Sequence, residues 1–262
     1  MLSAYQDSVM PKNVYKIATL PKPRKMLGLL ARPNAPVVMS NFIQFREKVK
    51  SRRFSGMTSK EAYSVYSESA MKAQSTMGSR MIWASEDIKK IAGSVAPNFQ
   101  AIAFLEYASP KSFLKFALFG NHDSKARLAG LEGQWLLAST TLEESVEKNL
   151  SGVAMVEVFS IKSSSNNRNP DWFDTWKEVK LKNGGKVIWE GSANSQLMGY
   201  ATKTPSIIVV TQFPDIESLQ SVLATEAATI IKTLAADRLE DYLAYQAYPT
   251  DKYQDVLSQG AE

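Results

Sequence analysis

"GSRMIWAS", residues 78–85, returns as "GGKVIWEG" at residues 184–191, 106 positions later. At the same offset "AIAFLEYASPKSFLKF" (101–116) lies over "IIVVTQFPDIESLQSV" (207–222). "LAGLEGQWLLAS" (128–139) lies over "LAADRLEDYLAY" (234–245), again at 106. Three segments in one register mark an internal duplication, and a repeat sets the architecture before any single element does. Upstream, "VMSNFIQF" (38–45) matches "AMVEVFSI" (154–161) at offset 116. The first copy therefore carries about ten extra residues, around "EKVKSRRFSGM" (47–57).

Each copy reads as the same string of elements. Val37–Phe45 mixes β-branched, aromatic and apolar residues and predicts a strand. Thr58-Ser59-Lys60-Glu61 is a capping box. Behind it Ala62, Tyr63, Tyr66, Ala70, Ala73 and Met77 recur at helical spacing, and Gly78 stops the helix. Met81–Ala84 predicts a short strand, "SEDIKKIAGSVAPN" (85–98) its extension and turn, and Ala101–Tyr107 an apolar strand. Ser109 is placed to cap a helix with Pro110 at its first position. Gly120-Asn121 breaks that helix, Asp123–Leu131 makes a short one, and Gln134–Ser139 closes the unit as a strand. The second copy predicts strands at Val153–Ile161, Lys186–Trp189, Ser206–Phe213 and Asp241–Tyr245, with helices at Pro170–Asn183 and Ile216–Leu239.

The order β-α-β-β-α-β is that of the ferredoxin-like split βαβ unit. Its sheet carries helices on one face, and the apolar second face must be covered. The expected fold class is α+β: two tandem ferredoxin-like units packed sheet to sheet as an intrachain dimeric α+β barrel. The chain divides into a basic N-terminal extension (1–35), unit 1 (36–140), a linker (141–151), unit 2 (152–248) and a C-terminal tail (249–262).

Composition narrows the chemistry. The absence of cysteine excludes disulfides and thiolate chemistry, and a single histidine excludes histidine-pair metal sites. No metal site is expected. No apolar run approaches the ~20 residues of a membrane span, and no secretory leader is read at the start, so a soluble cytoplasmic protein is expected. The net charge of +5 is uneven: residues 1–57 sum to +9 and the rest to −4. That basic arm reads first as a solvated extension docked on the body, and an anionic partner is the alternative. "VVMSNF" (37–42) and "AFLEY" (103–107) mimic parts of the RNA-recognition motif. Ala101 and Ala103 stand where stacking aromatics are needed, so nucleic acid is not expected as a partner.

"VVMSNFIQF", "EAYSVYSESA", "GSRMIWAS", "AIAFLEYASPKSFLKF" and "RLAGLEGQWLLAS" together resemble an uncharacterised family of the dimeric α+β-barrel superfamily, over about residues 36–140. The copy at about 152–248 is diverged. It keeps Trp189, has Glu157 at the place of Asn41, and is read with Thr211 at the place of Glu106. The resemblance implies the fold and no single reaction. The wider superfamily includes cofactor-free monooxygenases, lactone isomerases, polyketide cyclases and haem enzymes, and fold alone does not choose among them.

Glu106 shares a strand face with Ile102 and Phe104, and a carboxylate on an apolar face is a candidate general acid or base. The plainer reading is a strand-end Glu paired with Arg80 or Arg127. Asn41 is an amide among apolar strand residues and needs partners, as a structural pin or a carbonyl-orienting group. Tyr63, Tyr66, Trp83, Phe104 and Trp135 are candidates to line an apolar pocket between sheet and helices, with core packing as the plainer reading. Arg127 and His122 join the candidate substrate-binding set. His122 follows Gly120-Asn121 and reads first as a surface turn histidine, and otherwise as a proton carrier or axial haem ligand.

The expected function is an enzyme acting by acid/base chemistry on a small apolar or aromatic molecule, as an isomerase, a cyclase or a cofactor-independent monooxygenase. Glu106, Tyr66 and Asn41 would be its catalytic residues, and no cofactor would be needed. The alternatives are a non-catalytic binding or scaffold protein and a haem enzyme. A homodimer of such pseudo-dimers is the expected assembly.

Overall fold

The computed structural model describes residues 28–31, 34–93, 98–120, 122–145, 151–162, 171–199, 205–225 and 239–252. Its frame is eight strands: β1 (Val37–Phe45), β2 (Arg80–Ala92), β3 (Ala101–Tyr107), β4 (Leu131–Glu144), β5 (Val153–Ile161), β6 (Lys186–Met198), β7 (Ile207–Phe213) and β8 (Leu239–Pro249). All pair antiparallel in a closed barrel of order β1-β3-β2-β8-β5-β7-β6-β4. The first four strands lie in the order β4-β1-β3-β2 and the last four in the order β8-β5-β7-β6, the same order in each half. Two seams, β2 with β8 and β4 with β6, join the halves.

Those seams explain where the predicted strands were too short. β4, β6 and β8 outrun the strands read from sequence, because extra residues pair across the seam, and the extension predicted for β2 pairs there too. Lys90 lies opposite Tyr245, and Glu144 opposite Trp189. The proposed linker from 141 therefore begins as strand. Residues 1–27, 146–150, 163–170, 226–238 and 253–262 lie outside the described residues, and with them most of the basic extension, the rest of the linker and the tail. The helix predicted over Ile216–Leu239 is described over Ile216–Leu223 only.

The pairing register agrees with the 106 offset and corrects the reading of Thr211 at the place of Glu106. Arg80 lies opposite Glu106, and Lys186 opposite Gln212, so the counterpart of Glu106 is Gln212 and not Thr211. Both pairings shift at the same place, between Met81 and Trp83 and between Val187 and Trp189. In the last strand the offset is 108 rather than 106: Leu136 lies opposite Asn41, and Ala244 opposite Glu157. Trp135 therefore corresponds to Leu243.

Strand alternation divides the side chains into layers. The barrel interior is apolar and draws on both halves: Phe42, Trp83, Ile102, Phe104, Trp135, Trp189 and Tyr245 share one buried cluster. Phe104 stacks on Trp189 with ring centroids 4.9 Å apart, joining the halves at the centre. The outer face of the first half is covered by α1 (Ser59–Ser75), α2 (Pro110–Phe119) and α3 (Ser124–Gly130). The outer face of the second is covered by α4 (Asp171–Lys182) and α5 (Ile216–Leu223). The predicted caps are present. Thr58 and Glu61 form the reciprocal box at the start of α1, and Ser109 accepts from the Ser112 amide with Pro110 following. Gly78 after α1 has φ +67° and Gly184 after α4 has φ +79°, the left-handed exits a glycine allows. No helix among the described residues is long and apolar enough to cross a membrane.

Candidate functional site

β1, β3 and β4 turn their odd- and even-numbered residues to opposite faces, and the outward set meets α1 and α2 around a cavity of about 250 Å³. Its floor is apolar: Met39, Leu105 and Leu136 from the sheet, Ala70 and Met71 from α1, Phe113 and Phe116 from α2. Tyr66, Gln74, Tyr107, His122 and Arg127 are among the residues that bring polar atoms, with Lys60 and Glu86 also in the lining. α3 is held tightly over α1. A Cβ on Gly130 would stand 2.2 Å from the Ser59 carbonyl oxygen, so only glycine permits this approach. The closeness sets Arg127, one turn before Gly130, above the cavity edge.

A chain of amides fixes that edge. Arg127 Nη2 donates to Gln134 Oε1 at 2.6 Å, and Gln134 Nε2 donates to Asn41 Oδ1 at 2.5 Å. Asn41 Nδ2 donates to the carbonyls of Met39 (2.8 Å) and Ala103 (3.3 Å). Asn41 is thus the pin that seats Arg127 through Gln134. The Arg127 guanidinium lies 5.9 Å from the Tyr66 ring centroid. Burial pushes the Tyr66 hydroxyl above the ordinary phenol value, with the charge and hydrogen bond of Arg127 opposing it. His122 packs between Phe116 (centroids 5.0 Å) and Tyr66 (5.6 Å, edge-on). Burial, and then the positive charge of Arg127, hold its imidazole below the usual histidine value. Its Nδ1 is buried and has no partner among the described residues. His122 is therefore not a free surface side chain: its imidazole stands at the cavity wall.

Four of the predicted residues lie elsewhere. Trp83, Phe104 and Trp135 point into the barrel interior, on the far side of the sheet from the cavity. Glu106 is on that inner face too, and it is not among the residues that line the cavity. Its Oε1 accepts from Arg80 Nε at 2.7 Å, and Arg80 also grips Glu144 through both terminal nitrogens at 2.7 Å. Glu144 and then Glu106 raise the Arg80 pKa, so the guanidinium stays charged between them. A carboxylate engaged in this way, one face removed from the pocket, is not the base of a reaction there. Gln74, Tyr107 and Gln134 were missed, because a glutamine on a helix and a tyrosine ending a strand carry no motif.

Beneath α4 the described side chains of the second half pack into one buried cluster. Glu157, at the place of Asn41, is fully buried with Lys180. Its Oε1 accepts from Trp176 Nε1 (2.6 Å) and the Tyr242 hydroxyl (2.8 Å), and its Oε2 accepts from Lys180 Nζ. The space between sheet and α4 is filled by this cluster and by Trp172, Phe173 and Trp176.

No family model matches the chain, and no curated protein matches it. Solved structures do. A protein of unknown function from Rhodopseudomonas palustris is 19% identical, covering 47% of this chain and 95% of its own, with a TM-score of 0.41. A candidate monooxygenase from Lactobacillus acidophilus is 8% identical, covering 82% of this chain and 94% of its own, with a TM-score of 0.43. Chlorite dismutase from Candidatus Nitrospira defluvii, in complex with imidazole, is 9% identical, covering 86% and 95%, with a TM-score of 0.47. No residue role follows from likenesses this distant.

Proposed function

We propose that the protein is an enzyme that binds a small, largely apolar or aromatic organic molecule in the first-half cavity and acts on it by acid/base chemistry. The reaction class is isomerisation, cyclisation or cofactor-independent oxygenation. The observation that carries this reading is the convergence of Arg127, Tyr66 and His122 at one cavity with an apolar floor, the composition expected of a small-molecule site. In the reaction, a substrate carbonyl oxygen lies against Arg127 and the protonated Tyr66 hydroxyl. His122 Nδ1 takes a proton from the neighbouring carbon. The electron pair moves onto the carbonyl oxygen, where the guanidinium and the hydroxyl stabilise the developing charge. Return of the proton at another carbon completes an isomerisation. Asn41 acts through Gln134 as a positioning residue, and Tyr63 packs edge-on against Tyr66 at the cavity wall. We read the halves as diverged copies of one ferredoxin-like unit, supported by their shared strand order and strand shifts.

Haem is the second reading, favoured by the free Nδ1 of His122 at the cavity. The residues do not fit it. About 250 Å³ falls below the ~300–1,000 Å³ typical of drug-sized ligand pockets, and a porphyrin needs more space than most such ligands. The rings of Phe116 and Tyr66 also crowd the imidazole.

Thermal unfolding in the presence of arylalkanoic acids and aryl ketones tests the proposal. A ligand at roughly one hundred times its Kd raises Tm by about 5–10 °C. Ala70→Phe, which fills the cavity from α1, abolishes the rise. Arg127→Met weakens the acids most. A wild type that no compound stabilises, or an Ala70→Phe variant stabilised as well as the wild type, contradicts the site.

A further inference from the structure

At the inner end of the cavity, two turns of α1 beyond Tyr66 and so ~12 Å along the helix, Gln74 meets Tyr107. Both are almost wholly buried, at 5% and 2% exposure. Gln74 Nε2 donates to the Tyr107 hydroxyl oxygen at 2.6 Å. Gln74 Oε1 is buried and has no donor, and no described residue accepts the Tyr107 proton. Met71, Phe113 and Phe116 pack in the same cluster as Tyr107, and the Tyr66 hydroxyl lies near enough to act on Tyr107 electrostatically, although no hydrogen bond joins the two. Orphaned polar atoms this deep cost stability unless something completes them. The pair presents one open acceptor and one open donor side by side. A hydroxyl is the group that answers both, donating to Gln74 and accepting from Tyr107. It also fits if the amide is turned the other way, when Nε2 becomes the open donor and the hydroxyl accepts from it.

We infer that the ligand of this cavity carries a hydroxyl at the end remote from its carbonyl or carboxylate, and that the Gln74–Tyr107 pair recognises it. The substrate class is then a hydroxyaryl or long-chain hydroxy compound with an anionic or carbonyl head at Arg127 and an apolar middle. This rests on the proposed use of the cavity and adds the far-end group to it. Selectivity follows from the cost of leaving the buried pair open. A ligand without the hydroxyl displaces any solvent there and supplies no replacement bond.

The test is titration calorimetry with two probes, 3-(4-hydroxyphenyl)propionate and 3-phenylpropionate. The wild type prefers the hydroxylated acid by about tenfold. Gln74→Leu and Tyr107→Phe each bring the ratio close to one while retaining 3-phenylpropionate, and near-ultraviolet circular dichroism reports that each variant is folded. Tyr107→Phe removes a single oxygen, so it answers the question even if Gln74→Leu does not fold. Equal binding of both acids by the wild type, or a preference that survives both substitutions, overturns the hydroxyl inference and leaves the cavity reading intact. Failure of the wild type to bind either acid overturns both.

Discussion

Glu157→Leu destabilises the protein by about 3–5 kcal/mol, lowering Tm by on the order of 10 °C. The substitution leaves the Lys180 ammonium buried at 1% exposure with its carboxylate gone. It also removes the acceptor of Trp176 Nε1 and of the Tyr242 hydroxyl. Replacing both charges, Glu157→Leu with Lys180→Met, gives a variant more stable than Glu157→Leu alone, because an apolar pair has no uncompensated charge. Urea denaturation of the two variants and the wild type measures this. A loss below about 1 kcal/mol in the single variant would show the cluster to be solvated and the second half open.

Phe104→Ala costs about 3–5 kcal/mol, the range for truncating a fully buried phenylalanine. Its ring lies between Trp189 of the second half (4.9 Å) and Trp83 and Phe42 of the first (5.9 and 6.2 Å). The cavity it leaves sits where the halves meet, so the whole barrel unfolds in one transition at the lower temperature. Ligand affinity, measured well below that transition, is unchanged, because the ring faces away from the cavity. A variant of near-native stability that no longer binds ligand would return Phe104 to the role its sequence position first suggested.

The sequence carried the architecture further than the site. The capping box at Thr58, the Ser109-Pro110 helix start and the strands Val37–Phe45, Ala101–Tyr107 and Val153–Ile161 are written in local patterns, and they appear where those patterns put them. The ends of β4, β6 and β8 are not local. "STTLEE" is strand because another half lies alongside, and no window of sequence contains that partner. The site failed at one point in particular. Glu106 was placed correctly with Ile102 and Phe104 on one strand face. Yet each face of a closed barrel's sheet is apolar, and alternation does not say which one meets the cavity. Asn41, Tyr63, Tyr66, Arg127 and His122 were grouped by residue type, and they surround one space. Trp83, Phe104 and Trp135 were grouped with them for the same reason and lie on the other side of the sheet. Gln74 and Tyr107 stood inside apolar stretches, and their unanswered hydrogen bonds become visible only when helix and strand are packed together.

The most direct measurement is a crystal structure of the protein with the arylalkanoic or hydroxyaryl acid that stabilises it most. Ligand density is expected between α1, α2 and the outer face of β1 and β3, with the acid group at Arg127 and Tyr66 and the ring over Ala70 and Met71. Density at the Arg80–Glu106 end of the barrel or beneath α4, with the first-half cavity empty, would contradict this placement.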